Sequence, residues 1–267
     1  MKRPGAVYVG NDRVLLWTKN NYKMFVDSRD VSIAPHLILE GVYEEHTAAV
    51  LRSLVKPGMH VIEIGANVGL FTLLMCHRVG AAGSVRAFEC DPVLAQIARD
   101  NIEMNGFSRI GRVDERAVSN TIGTLEFRAA VRHRGGGTLV AGLQQIPELA
   151  DDERRTITVQ SVTLDAALGE DSRTIDFMKI DAEGAESDII AGGSRIFADR
   201  AYPIVVMMEF APAFMRDSGM DPAAQLERLR DAGFRFSRID ERRRRLVPTD
   251  ATHLLGRAFS DIVMVRA

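Results

Sequence analysis

The sequence predicts an α/β fold: one mostly parallel sheet with helices packed on its faces. Three observations carry that expectation. Residues 61–91 run as an apolar strand, a glycine turn, an apolar helix and a second strand ending in an acid, Glu89. Strand and helix signals keep alternating after it, which is the pattern of parallel crossover units. Acids also stand at the ends of two later apolar runs, Asp181 after Ile175 to Ile180 and Glu209 after Pro203 to Met208, on the carboxyl side where such sheets collect their ligands. Together these define a Rossmann-like core.

The elements follow in order. Residues 1–57 read as a β/α extension, with β-like runs at Val14 to Trp17 and Lys23 to Val26 and a helix from Glu44 to Val55. We expect this piece to cover the pocket. Lys56-Pro57-Gly58 is a turn, and residues 58–267 form the main domain. Val61 to Ile64 is its first strand, a helix starts near Val68, and Ser84 to Phe88 is the second strand. Asp91 caps the next helix with Pro92 at its first position, apolar residues recur at helical spacing through Met104, and Asn105-Gly106 ends it. A third strand is expected over Gly111 to Val118, with an inserted β stretch from Thr124. Residues 132–155 are polar and glycine-rich and read as a mobile loop insertion. Thr156 to Val162 alternates as a strand, and a short helix starts at Thr163. Glu183 to Ala191 and 221–232 read as helices. Phe234 to Ile239 and Asp261 to Val265 should pair antiparallel at the sheet edge, around the arginine run Arg242 to Arg245.

Bulk properties narrow the function. A chain of 267 residues suits one large domain plus an extension. With a net charge of −2 and 26% charged residues it lacks the basic field that draws nucleic acid, so nucleic acid is not expected as a partner. The two cysteines, Cys76 and Cys90, make neither a disulfide framework nor a metal cluster. No apolar run is long enough to span a bilayer, and Met1-Lys2-Arg3-Pro4 is not followed by a signal-peptide core, so a cytoplasmic location is expected.

The glycine turn selects among nucleoside cofactors. Gly65 and Gly69 would let the turn approach a ligand, while the Glu89 carboxylate, with Cys90 beside it, would accept both hydroxyls of a ribose. A dinucleotide site wants a glycine where Asn67 stands, and Glu63, two residues before Gly65, would repel a pyrophosphate. S-adenosylmethionine (SAM) has no phosphate and carries a sulfonium and an ammonium, so an acid near the turn attracts it. An NAD-type oxidoreductase and a non-catalytic SAM-binding module are the alternatives.

Methyl transfer from a sulfonium is an in-line displacement, so the protein must place the acceptor and manage its proton. Asp181 and Glu209 are the candidates for that work, with His133 in the glycine-rich loop as a candidate base. His46, beside Tyr43, Glu44 and Glu45, is a further histidine able to face the acceptor, and His253 lies on another loop. Tyr43, Glu44 and Glu209 are expected to meet the substrate. Asp181 and Glu209 would also suit Mg²⁺, a rival use ranked second. Helix capping is the structural alternative for Asp181.

E-I-G-A-N-V-G at 63–69, A-F-E-C-D-P at 87–92, T-L-D at 163–165 and K-I-D-A-E-G-A-E at 179–186 together resemble the FkbM family of SAM-dependent methyltransferases. The resemblance covers about residues 57–210. It implies a seven-stranded class I methyltransferase sheet, mostly parallel with an antiparallel edge strand, and O-methylation of a sugar, glycoconjugate or secondary-metabolite hydroxyl. By the same resemblance Gly65, Ala66, Asn67 and Gly69 would hold the methionyl part of SAM, and Glu89 the ribose. Glu115, Arg116 and Ala117 would meet the adenine edge, and Asp181 would lie near the methyl group. Glu63, Cys90 and Ala182 stand where the family commonly has Asp, Pro and Val, departures that bear more on the acceptor than on the cofactor. The acceptor is expected to be a small molecule or glycan, and an apolar N-terminal face would suit either a homodimer or a pocket cover.

Overall fold

The computed structural model describes residues 5–139, 153–169, 174–217 and 219–266. The chain opens with a three-stranded antiparallel sheet of β1 (Ala6–Gly10), β2 (Arg13–Trp17) and β3 (Lys23–Asp27), then α1 (Ala34–Glu40) and α2 (Glu45–Leu54). The crossover units follow as β4 (His60–Ile64), α3 (Leu70–Val79), β5 (Ser84–Phe88), α4 (Pro92–Met104) and β6 (Gly111–Asp114). A second small sheet is built from β7 (Ala117–Ser119), β8 (Gly123–Ala130) and β9 (Arg154–Thr163), in the order β7-β9-β8. Next come α5 (Leu164–Gly169), β10 (Phe177–Ile180), α6 (Glu186–Ala191), α7 (Ser194–Phe197), β11 (Ile204–Phe210), α8 (Pro212–Asp217) and α9 (Pro222–Asp231). The described chain closes with β12 (Arg235–Asp240), β13 (Arg245–Pro248), α10 (Ala251–Leu255) and β14 (Ser260–Arg266).

The main sheet has the order β13-β12-β14-β11-β10-β4-β5-β6. From β11 to β6 its neighbours run parallel, as the strand-helix alternation requires, whereas β14, β12 and β13 join antiparallel. The expected seven strands are thus eight. The extra one is β13, which the arginine run creates by turning the chain back on β12, with Arg244 at φ 51°. The third strand, expected to be continuous to Val118, is split between two sheets. Asp114, at the end of β6, accepts hydrogen bonds from Arg86 and Arg116, and the chain leaves the main sheet there to pair with β9. Strand β1 and helices α1 and α8 also escape the sequence pattern.

One face of the sheet carries Ile62, Ile64, Met178, Ile180, Val206, Met208, Ile262 and Met264 under the later helices, and the other carries Val61, Phe177, Met207 and Val263 under α2 and α3. Because Ala48, Val50 and Leu51 of α2 and Val55 just after it sit in that second cluster, the stretch before residue 57 shares its core with the main domain. The N-terminal sheet is fastened to α4 in the same way. Fully buried Asn101 accepts from the Phe25 amide (2.7 Å) and donates to the carbonyls of Phe25 (3.0 Å) and Val68 (2.8 Å). Among the described residues no helix is long and apolar enough to cross a membrane.

Candidate active site

The carboxyl ends of β4, β5, β10 and β11 open into a crevice of about 310 Å³, roofed by the start of α2 and by residues 134–139. Gly65, at φ +84°, turns the chain off β4. A Cβ there would lie 1.8 Å from the Asp181 carbonyl oxygen, so the residue is glycine because β4 and β10 meet at that point. Gly69 (φ +82°) does not line the crevice; its missing Cβ makes room for Ala98 of α4, at 3.2 Å. Gly65 thus serves a contact within the chain and lines the crevice as well, whereas Gly69 serves only the contact with α4, a correction to its expected role in ligand approach. Between them Asn67 adopts φ +51° and donates from its side chain to the Arg134 carbonyl (3.2 Å).

Glu89 lies buried at the tip of β5, where its two oxygens accept the amides of Asn67 (2.7 Å) and Asp91 (2.9 Å). Each oxygen retains lone-pair capacity for a ribose hydroxyl. Burial pushes its carboxyl up to about 7 despite those amides, which pull the other way. Cys90, Arg116, Ala117, Val118, Phe127 and Leu139 continue the lining on this side.

The opposite end is acidic. Asp181, Glu183 and Glu209 line it with Glu44, Glu241 and Asp261. Burial and then the neighbouring Asp181 push Glu209 up to about 8, and the same two causes raise Glu44 and Glu183. Lys179 lies beneath: its Nζ donates to Asp181 Oδ2 at 2.8 Å, and it faces Glu63 across the β4–β10 register. Burial disfavours its ammonium, yet Asp181, Glu63 and Glu44 more than compensate and hold its pKa above the ordinary lysine value. Asp181 does not cap α6; Glu186 instead takes the amides of Ala182 (3.0 Å) and Gly184 (3.4 Å).

Three non-glycine residues of the lining, Glu44 (φ 44°), Asn67 (φ 51°) and Glu183 (φ 49°), occupy the left-handed region. Each such residue costs on the order of 1 kcal/mol or more, and such conformations concentrate at functional sites.

Of the residues expected from the sequence, Tyr43, Glu44, Gly65, Ala66, Asn67, Glu89, Cys90, Arg116, Ala117, Asp181 and Glu209 line this one crevice. Others do not. Glu63 is fully buried under α3, where the Thr72 hydroxyl donates to it and burial pushes it up to about 7. Its attraction for a cation therefore reaches the crevice only from beneath, and the acids facing the cavity take over that task. Glu115 points outward and pairs with Arg99 at 2.8 Å. His133 is not among the lining residues; the chain turns at that point to bring Arg134 inward instead. Arg134 Nη2 donates to buried Asp27 at 2.8 Å and its amide to Asp30 at 3.2 Å, which ties residues 132–137 to the N-terminal sheet. The loop expected over 132–155 is thus anchored at its start, and residues 140–152 lie outside the described residues. His253 is exposed on α10, away from the crevice. Sequence reasoning missed Lys179, Glu183, Asp261 and Arg134; only Lys179 and Glu183 carried a signal, by flanking Asp181. Among the described residues no group of three or more His, Cys, Asp or Glu is arranged to hold a metal ion.

A glycine turn, a buried strand-end acid and an acidic far end at the carboxyl edge of a parallel sheet define a Rossmann-like α/β domain of the methyltransferase kind. More particularly, residues 63–236 match the model of the methyltransferase FkbM domain, and the chain belongs to that family. It is 34% identical over 64 residues to a ribosomal protein L11 methyltransferase of Exiguobacterium sp., covering 24% of this chain and 20% of that protein. It is 24% identical over 182 residues to the methyltransferase sdnD of Sordaria araneosa, covering 60% of this chain and 69% of that protein. Among solved structures, an O-methyltransferase from Bacillus cereus in complex with S-adenosylhomocysteine (SAH) matches with 16% identity and a TM-score of 0.46, over 89% of this chain and 87% of that one.

Proposed function

We propose that the protein is a SAM-dependent O-methyltransferase acting on a hydroxyl of a sugar, glycoconjugate or secondary metabolite. One observation carries the reading: Glu89 and the acids around Asp181 face each other across a single crevice entered by the Gly65 turn. A nucleoside with a diol at one end and cationic groups at the other matches that polarity, and a diphosphate opposes it. Glu89 would hold the ribose, the backbone from Gly65 to Asn67 the methionyl part, and Ala117, Val118 and Phe127 the adenine. When bound, SAM supplies an electrophilic methyl group. The chain's own residues bind and orient: Lys179 holds the Asp181 carboxyl in place at the crevice floor through its hydrogen bond, while Tyr43, Glu44 and Glu209 shape the acceptor side. Residues 1–57 serve as its cover, since Ile33, Tyr43, Glu44 and His46 all reach the lining.

The test is conversion of SAM to SAH in the presence of hydroxylated glycosides. Asp181→Ala should lose turnover while calorimetry still detects SAH. Binding of nicotinamide dinucleotides with no binding of SAH would overturn the reading.

A further inference from the structure

We propose that His46, paired with Asp261, takes the proton of the acceptor hydroxyl. The inference rests on the O-methyl-transfer reading above and adds the base that reading lacks. His46 stands in the first turn of α2 and lines the crevice, with its Nε2 3.8 Å from Asp261 Oδ2. Asp261 is held in place by β14, directly opposite Glu209 in the β11–β14 register, so the pair borders the acids that surround Asp181. Two distant parts of the chain thus deliver one histidine and one carboxylate to the same end of the cavity.

The charges explain why an imidazole suits this position. As the acceptor oxygen bonds to the methyl carbon, the carbon–sulfur bond breaks, its electron pair stays on sulfur, and the sulfonium charge disappears. The hydroxyl proton passes to His46, which becomes a cation at that moment, so the positive charge lost at sulfur is regained at the ring and the net charge facing the surrounding acids is unchanged. With Nε2 turned to Asp261, Nδ1 is the nitrogen left to accept the proton. The other basic groups of the crevice are committed: Lys179 is a protonated partner of Asp181, Arg134 is bound to Asp27, and Arg116 is bound to Asp114. Asp261, then Glu241 and Glu44, all raise the His46 pKa above its ordinary value. The transfer rate should therefore rise with pH through that raised value, since only the neutral ring accepts a proton.

The experiment compares the parent protein with His46→Gln and Asp261→Asn in three measurements. These are tritium transfer from methyl-labelled SAM to a panel of hexosides and polyketide alcohols across pH, NMR titration of the His46 ring, and SAH calorimetry. His46→Gln should lower kcat by about 10²–10⁴-fold with SAH affinity within about threefold of the parent. Asp261→Asn should move the acidic limb of the rate profile and the His46 NMR midpoint downward together, by about one pH unit. Parental kcat in folded His46→Gln, or an acidic limb that stays in place in Asp261→Asn while the NMR midpoint moves, overturns the proposal. So does an unmoved midpoint, which removes the pairing itself. If His46→Gln does not fold, Asp261→Asn decides alone. A parent that binds SAH but methylates no alcohol in the panel overturns the O-methyl reading and this inference with it.

Discussion

Replacing Gly65 and Gly69 separately by alanine should give two very different proteins, although both residues sit at nearly the same positive φ. The shared conformational penalty for a Cβ in the left-handed region is about 1–2 kcal/mol. What differs is the neighbour. At Gly65 the new Cβ would lie 1.8 Å from the Asp181 carbonyl oxygen, a backbone atom fixed by the β4–β10 ladder, so the strand ends must move apart by more than 1 Å. Overpacking against fixed backbone falls in the upper part of the usual range, about 2–3 kcal/mol, for a total of about 3–5 kcal/mol. At Gly69 the contacts are 3.2 Å to the Ala98 methyl and 3.3 Å to its Cα, and call for a shift of a few tenths of an ångström. At about 2–4 °C per kcal/mol for a domain of this size, Gly65→Ala should melt about 6–20 °C lower and Gly69→Ala about 2–8 °C lower. Because the displaced backbone is the crevice floor, Gly65→Ala should also weaken SAH about tenfold or more, a loss of about 1.4 kcal/mol, while Gly69→Ala stays within a few-fold. Differential scanning fluorimetry and calorimetry read both quantities. Equal losses, or a larger loss at Gly69, would refute the assignment of Gly65 to the β4–β10 contact.

Three further outcomes follow from the geometry. SAH affinity should fall by up to about tenfold per pH unit as pH drops below about 7, because a proton on Glu89 removes acceptor capacity from the ribose diol; Glu89→Gln should bind weakly and flatten that dependence in calorimetric titrations. Lys179→Met should destabilise by about 3–5 kcal/mol in denaturant melts, since Glu63 and Asp181 lose their shared cation, and adding Glu63→Gln should restore part of the loss; strict additivity of the two changes would exclude that coupling. Asn101→Ala should cost about 2–3 kcal/mol by orphaning the Phe25 amide and two carbonyls, and hydrogen exchange should report the loosening first in β3.

The fold was legible wherever one local signal decided an element. The apolar run from Val61, the Asp91-Pro92 helix start and the acid after Phe88 each fixed an element within a residue or two of where it lies. Reading failed where a distant partner decides. Nothing around Val113 announces that the strand ends at Asp114, because the cause is Arg86, on the neighbouring strand. Within the site, Asp181 and Glu209 were readable from strand ends, whereas Asp261 reaches the crevice only through antiparallel pairing of β14 with β11. His133 and Arg134 look alike as loop residues. Only the carboxylate at Asp27, over a hundred positions away, makes the arginine the inward one. Glu63 misled for the opposite reason: its sequence position beside the turn says nothing of the Thr72 hydroxyl that keeps it beneath α3.

The buried Arg134–Asp27 pair bears on where this protein can be cut. Side-chain exposure is 7% for the arginine and 1% for the aspartate, so removing the first 57 residues would take the nearer carboxylate from the guanidinium, leaving it Asp91 at 3.6 Å, and strip the apolar flank of α3 of its covering helix. Trimming the other end to residue 236 would delete β14 and leave β11 with a bare edge. The smallest piece able to fold alone therefore extends well past both limits of the stretch by which its kinship is recognised.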